Sequence, residues 1–232
     1  MINELIQCDC RDYMKTCKYK QFDLAIVDPP YFDAVNKLGY YGNNVSSTKV
    51  LRHNYKPCSS WKIPDNNYYA ELCRISKNQI IWGINYFHFI NVSTGRIVWD
   101  KKKNESCTFS DGEIASCSLI DTVRFFRYTW DGMLQENMKS KETKIHPTQK
   151  PVALYKWLLS HYAHPGDKLF DSHSGSGSFR IAAYDMGFDL ISCEIDADYC
   201  RDNEARYQAH IAQQELIPVQ EIQQLTFRGS VK

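Results

Sequence analysis

Short apolar runs alternate along this chain with stretches of helical period. Phe22–Val27 (Phe-Asp-Leu-Ala-Ile-Val) is apolar almost throughout, the pattern of a strand covered on both faces. Asn78–Gly83 (Asn-Gln-Ile-Ile-Trp-Gly) and Arg96–Asp100 (Arg-Ile-Val-Trp-Asp) have the same character. Residues 4–8 predict a shorter strand, 113–120 and 122–128 two more, and Lys168–Asp171 and Leu190–Cys193 a further pair. Helices are predicted over 11–16, 66–76, 151–163, 179–186 and 198–215. In the second, Tyr69, Leu72, Cys73 and Ser76 share a face; in the third, Leu154, Trp157, Leu158 and Tyr162 point inward behind Pro151 at the first position. Gly187 closes the fourth. Strands alternating with helices imply an α/β domain with a largely parallel sheet. The periodicity is lost over 32–64 and 130–144, which read as loops, and 216–232 reads as a short docking tail. There is no internal repeat.

One strand end stands out. Asp28-Pro29-Pro30-Tyr31 follows the first long apolar run directly. Neither proline can donate to a sheet ladder, and each fixes φ, so the strand stops there. A carboxylate, two backbone carbonyls and an aromatic ring are thereby held at the carboxyl end of a strand. That is where open α/β sheets bind ligands. An acceptor beside a flat ring suits a planar substrate with an exocyclic amine. Taken alone, the same four residues also fit a plain Pro-Pro turn with a surface tyrosine.

A second signal lies some 140 residues later. Lys168–Asp171 leads into Ser172-His173-Ser174-Gly175-Ser176-Gly177-Ser178, then a helix, then a strand ending in Glu194-Ile195-Asp196. Strand, glycine-rich loop, helix, strand and acidic residue make a nucleotide-cofactor unit. The third glycine of the dinucleotide pattern is missing, because Arg180 stands there, which argues against a nicotinamide oxidoreductase. No Gly-Lys-Ser/Thr follows, so it is not a P-loop. Glu194 stands where a ribose diol would be bound. A cofactor with ribose and no phosphate points to S-adenosylmethionine.

Composition narrows the picture modestly. The 232 residues are 43% apolar, which describes one globular domain with insertions. No apolar run is long enough for a membrane span, and no basic flank precedes an apolar core at the N-terminus, so a cytoplasmic location is expected. Nine cysteines form no CxxC pair, and they are expected to be reduced thiols without metal. The net charge of +1 neither requires nor excludes nucleic acid, so local clusters matter more. Lys101-Lys102-Lys103, the set Lys139, Lys141, Lys144 and Lys150, and the set Lys49, Arg52, His53 and Lys56 are three such clusters, with aromatics close by.

Asp28-Pro29-Pro30-Tyr31 together with Phe170–Ser178 resembles the amino-methylating DNA methyltransferases, which act on adenine N6 or cytosine N4. Catalytic stretch first and cofactor stretch last is the order of their beta-type, circularly permuted group. His146-Pro147-Thr148-Gln149-Lys150-Pro151 is similar to that group's linking motif, and Asn78–Phe87 to its strand segments. Ser172-His173 departs from the Pro-Phe usual after the motif's aspartate, which is expected to alter packing near the methionine moiety. The resemblance implies a Rossmann-like methyltransferase fold with a mostly parallel seven-stranded sheet and one domain over 1–232. It implies target-recognition inserts near 33–62, 101–111 and 130–144. It places Asp28, Pro29, Pro30 and Tyr31 in catalysis. It places Asp9, Asp28, His146, Thr148, Lys150, Asp171, Ser174, Gly175, Ser176, Gly177, Ser178, Glu194 and Asp196 around S-adenosyl-L-methionine. Its partners would be DNA and no membrane, with a homodimer and a cognate restriction endonuclease left open. An aspartate at position 28, in place of serine or asparagine, favours adenine over cytosine N4 or a protein glutamine. Pro57-Cys58 is the dipeptide of a cytosine-C5 nucleophile, but no strand precedes it. A cofactor-binding fold without catalysis is disfavoured by the intact Asp28, Tyr31 and Glu194.

Overall fold

The structure is a computed structural model and describes residues 1–31, 63–89, 92–103, 110–131 and 134–215. Its centre is an eight-stranded sheet. The strands in chain order are β1 (Asn3–Gln7), β2 (Phe22–Val27), β3 (Ser76–Trp82), β4 (Arg96–Asp100), β5 (Gly112–Cys117), β6 (Val123–Arg127), β9 (Lys168–Asp171) and β10 (Asp189–Glu194). Their spatial order is β1-β10-β9-β2-β3-β5-β4-β6. All pairings are parallel except the two made by β5, which runs against both β3 and β4. The expected seven strands are therefore eight, with one reversed. The reversal follows from the short connection after β4, since a parallel return needs a crossover of a dozen residues or more.

Helices cover both faces. These are α1 (Cys10–Thr16), α2 (Asn66–Ile75), α3 (Val152–Tyr162), α4 (Ser178–Met186) and α5 (Ala197–Glu215). From Leu24 to Val27 successive residues of β2 serve opposite cores, which is why the run is apolar without alternation. Leu24 and Ile26 pack on the side of α3 and α4, and Phe22, Ala25 and Val27 on the side of α1 and α2. The expected apolar face of α2 is rotated by one residue. Tyr68, Leu72 and Ile75 are buried, while Tyr69 and Cys73 are only half-buried. The reason is that α2 runs without a linker into β3 at Ser76, and Ile75 must turn inward to meet the sheet. Pro151 is the N-cap of α3 and not its first helical residue. The stretch 130–144, expected as loop, holds a two-stranded hairpin, β7 (Trp130–Asp131) with β8 (Leu134–Gln135). No described helix is long and apolar enough to cross a membrane. The seven described cysteines are free thiols.

This topology fixes one working edge. β9 and β2 are neighbours, and from them the chain winds outward in opposite directions, to β10 and β1 on one side and to β3 on the other. That is a switch point, where the loops after the two strands separate and leave a crevice. Asp28 and Asp171 stand at the carboxyl ends of those two strands.

Candidate active site

A cleft opens at this switch point. Its walls include Asp28 and Pro30 after β2, His146, Thr148 and Lys150 before α3, Ser174, Gly175 and Ser176 after β9, Glu194 after β10, and Asp9 after β1. Six other residues expected at the site take different positions. Pro29, Tyr31, Asp171, Gly177, Ser178 and Asp196 do not line the cleft. Asp171 is buried behind it, where its carboxylate accepts the His173 N–H at 3.1 Å. Gly177 is the N-cap of α4 at φ +75°, and a Cβ there would strike the Asn203 side chain. Ser178 begins α4 and accepts from Arg206 at 2.9 Å. The Asp196 carboxylate is turned to the start of α5, accepting the N–H groups of Asp198 and Tyr199.

The glycine loop is held by carboxylates and amides. Glu194 accepts the Gly175 N–H at 2.9 Å on one oxygen, and those of Ile195 and Asp196 at 3.0 Å on the other. Asn203 donates to Ser174 Oγ and to the Gly175 carbonyl. Arg180, at the place of the missing glycine, is buried and binds Asn3, Asn203 and Glu204 while lying over the Tyr207 ring. His146 faces Gly175 and packs against Tyr199 with ring centres 4.4 Å apart. The Thr148 N–H points at His146 Nδ1, which makes that nitrogen the acceptor and leaves the ring proton on Nε2. Burial pushes the His146 imidazole down to about 3, so it is neutral. Asp9 caps α1 through the Arg11 N–H and forms an ion pair with Arg11 at 2.7 Å, which holds its carboxyl at about 2.

Ser172 and His173 form a buried polar chain in the cleft wall. Tyr68 Oη lies 2.7 Å from Ser172 Oγ, which lies 2.7 Å from His173 Nδ1. The other ring nitrogen faces Cys10 Sγ at 3.9 Å. Burial lowers the His173 imidazole to about 4. Burial, with Asp28 and Glu194 nearby, raises the Asp171 carboxyl to about 8. Burial also raises Glu194.

On the other side of the switch point, Asp28 meets a cation. Lys150 Nζ lies 2.6 Å from Asp28 Oδ2 and 2.8 Å from Glu113 Oε2, and it sits over the Trp82 ring. Glu113 in turn holds Lys101 at 2.7 Å. The second carboxylate oxygen of Asp28, Oδ1, is buried with no hydrogen-bond partner among the described residues. Burial raises the Asp28 carboxyl, against the pull of Lys150. Tyr31 stacks on Tyr86, with centroids 4.8 Å apart and planes 12° apart. Its hydroxyl reaches to within 3.5 Å of Glu113.

Glu113 carried no motif, and only the reversed strand brings it here; Trp82 lay in the stretch Asn78–Phe87 with no role assigned to it. Because β5 runs antiparallel, its first residues lie at the edge where its neighbours end. Lys101, expected on a phosphate-facing insert, is turned inward onto Glu113 and Trp99.

The cleft fits a cationic adenosyl ligand. Asp28 and Glu194 put carboxylates in its wall, with Asp171 buried behind them, suited to a sulfonium and an ammonium. Glu194 and Asp9 can accept from ribose hydroxyls. Tyr199, Ile195 and Pro64 supply flat or apolar contact for a base. Among the described residues, the lysine and arginine of the cleft lining, Lys150 and Arg11, are each paired with a carboxylate and do not await a pyrophosphate.

Comparison with known proteins agrees. Residues 76–205, more than half of the chain, match the DNA methylase family of N6 and N4 methyltransferases. The type II methyltransferase M1.MboII of Moraxella bovis is 24% identical over 245 residues, covering 85% of this chain and 94% of that protein. The crystal structure of an M1.HpyAVI–SAM complex aligns with a TM-score of 0.51 at 18% identity, over 89% of this chain and all of the other. The cytosine-N4-specific PvuII DNA methyltransferase aligns with a TM-score of 0.58 at 10% identity, over 89% of this chain and 86% of the other. S-adenosylmethionine is the methyl donor of such enzymes. This chain belongs to the DNA methylase family of N6 and N4 methyltransferases.

Proposed function

We propose that the protein methylates adenine N6 in DNA, as a member of the permuted beta-type group. The observation that carries this reading is Asp28 at the head of Asp-Pro-Pro-Tyr, with Oδ1 buried beside the cleft and without a hydrogen-bond partner among the described residues. A base within a duplex cannot present its amine, so it must be extruded. The Tyr31 ring stacks on it, a contact of about 1–3 kcal/mol. Asp28 Oδ1 and the Pro29 carbonyl accept the two amine hydrogens. The nitrogen lone pair is thereby aimed away from the protein acceptors and into the cleft. When bound, S-adenosylmethionine supplies an electrophilic methyl group on sulfur. The Asp28 carboxylate stabilises the positive charge that develops on nitrogen. Positioning supplies the remainder of the acceleration. Asp9, His146, Thr148, the Ser174–Ser176 loop and Glu194 hold the cofactor.

Target recognition falls to the inserts near 33–62, 101–111 and 130–144. The first lies outside the described residues, as do 104–109 and 132–133. Pro57-Cys58 also falls there.

The test is expression in a host free of DNA methylation, followed by single-molecule mapping of modified bases. N6-methyladenine at a defined sequence, lost in Asp28→Ala with cofactor affinity retained, is expected. N4-methylcytosine alone would overturn the adenine assignment.

A further inference from the structure

Lys150 is caged. Its side chain is only 2% exposed, and its ammonium is held between the carboxylates of Asp28 and Glu113 and over the face of Trp82. Such a buried cluster is weak support for stability, since desolvation offsets most of the Coulomb attraction. Its effect falls on the reacting edge. Oδ2 of Asp28 is fixed, and Oδ1 is left with nothing to accept among the described residues.

We propose that Lys150 and Glu113 are a positioning pair. Lys150 keeps Asp28 ionised and turned so that Oδ1 faces the substrate amine. Glu113, from the reversed strand, anchors Lys150 and reaches the Tyr31 hydroxyl, so one carboxylate sets both the acceptor and the ring. The proposal rests on the reading of Asp28 as the amine acceptor, but not on which base carries the amine.

The alternating chain Asp28, Lys150, Glu113, Lys101 explains why two carboxylates tolerate each other here. Two cations neutralise two anions across the ends of β2, β5 and β4 and the start of α3. The other titratable groups facing the cluster are Tyr31, Tyr155 on α3, Asp171 after β9 and His146. None of these is altered by the variants below.

Without Lys150, Asp28 keeps the burial and the repulsion of Glu113 but loses its cation. It then holds a proton to higher pH, and a protonated Oδ1 no longer only accepts. Without the Glu113 charge, Asp28 keeps Lys150 and loses a repulsive neighbour. The two substitutions therefore move Asp28 in opposite directions.

The experiment is a pH profile of methyl transfer to duplex DNA under saturating cofactor, paired with a carbon-13 NMR titration of the Asp28 carboxyl in the same proteins. Lys150→Met should lower transfer about 100-fold at neutral pH and move the acid limb and the Asp28 titration up by about one unit or more. Lys150→Arg keeps the charge and should restore the position of the acid limb. Glu113→Gln should move both readouts down, with cofactor affinity by calorimetry unchanged, because Glu113 does not line the cleft. Unmoved titrations, or shifts of the same sign in Lys150→Met and Glu113→Gln, would overturn the proposal. Should Lys150→Met not fold, Glu113→Gln decides it by a downward shift and Lys150→Arg by an unmoved titration, and any other pair of results overturns the proposal. The NMR titration needs no turnover, so it separates failure of this proposal from failure of the methylation reading. The product base, read in wild type, tests the adenine assignment alone.

Discussion

The Tyr31 ring lies directly on the backbone of Gly83. Gly83 has φ +71°, and a Cβ built there would overlap Cδ1, Cε1 and Cγ of Tyr31. Alanine would be strained at this φ and would also displace the ring from Tyr86. Gly83→Ala is expected to lower kcat/KM for DNA about 100-fold and to cost roughly 1–3 kcal/mol of stability. Cofactor affinity should hold, since neither residue lines the cleft. Steady-state kinetics with DNA as the varied substrate, beside calorimetry with the cofactor, separates the two effects. Wild-type kinetics in this variant would remove Tyr31 from base capture.

Asp171, buried behind Ser172 and His173 in the cleft wall, is expected to link cofactor binding to a proton. Its carboxyl titrates at about 8, so at neutral pH it carries a proton that a cationic ligand would displace. Affinity should therefore rise with pH from about 6 to about 8, by up to tenfold per unit, and level off above. Calorimetry at pH 7 in buffers of different ionisation enthalpy should register about one proton released. Asp171→Asn should abolish that release and flatten the pH dependence. Equal proton release in wild type and Asp171→Asn would place the linkage elsewhere.

Much of this edge was legible in the sequence because its parts are local. Pro29 and Pro30 stop a strand wherever they occur, and Gly175 and Gly177 announce a loop that only glycine can form. The pairing of β2 with β9 brings the two local units together, with Asp28 and Asp171 at their ends. Glu113 was not legible. It begins an unremarkable strand, and only the antiparallel insertion of β5 between β3 and β4 carries it to Lys150. The local pattern marked all eight strands, 122–128 among them, and only the resemblance implied seven; the pairing of β6 on the far edge is a long-range fact with no local signature. Gly177, Ser178 and Asp196 looked like ligand contacts and are turned to helix starts, where the same residue types serve as caps. Lys101 looked like a surface cation until Glu113 was known to lie beneath it.

His173 confers an acid sensitivity of defined range. Its imidazole titrates near 4 in the folded protein and near 6.5 when unfolded, so the unfolded chain alone binds a proton between those values. The neutral ring thus contributes stability that is present above about pH 6.5 and is lost as pH falls toward 4. Other groups titrate in this range, so the comparison with His173→Asn isolates the effect. The stability difference between wild type and variant should shift toward the variant by up to about 1.4 kcal/mol per pH unit between pH 6.5 and 4. Urea denaturation at half-unit pH steps measures it. A difference that does not vary with pH would mean His173 is solvated in the native protein.

Glu194 has two duties, and they can be separated. A carboxylate offers about four lone-pair positions. Three are taken by the N–H groups of Gly175, Ile195 and Asp196, which leaves one for a ribose hydroxyl. Glutamine keeps one acceptor oxygen and turns the other into a donor facing an N–H. Glu194→Gln should therefore cost about 1–3 kcal/mol of stability, seen as an earlier unfolding midpoint without cofactor. It should also weaken cofactor binding about tenfold or more, seen by calorimetry. S-adenosylhomocysteine shares the ribose and lacks the sulfonium charge, so it should lose the same factor. Equal loss for both ligands assigns the contact to ribose. A loss confined to the sulfonium ligand would assign Glu194 to charge, and a loss of stability with affinity intact would leave it only the glycine loop to hold.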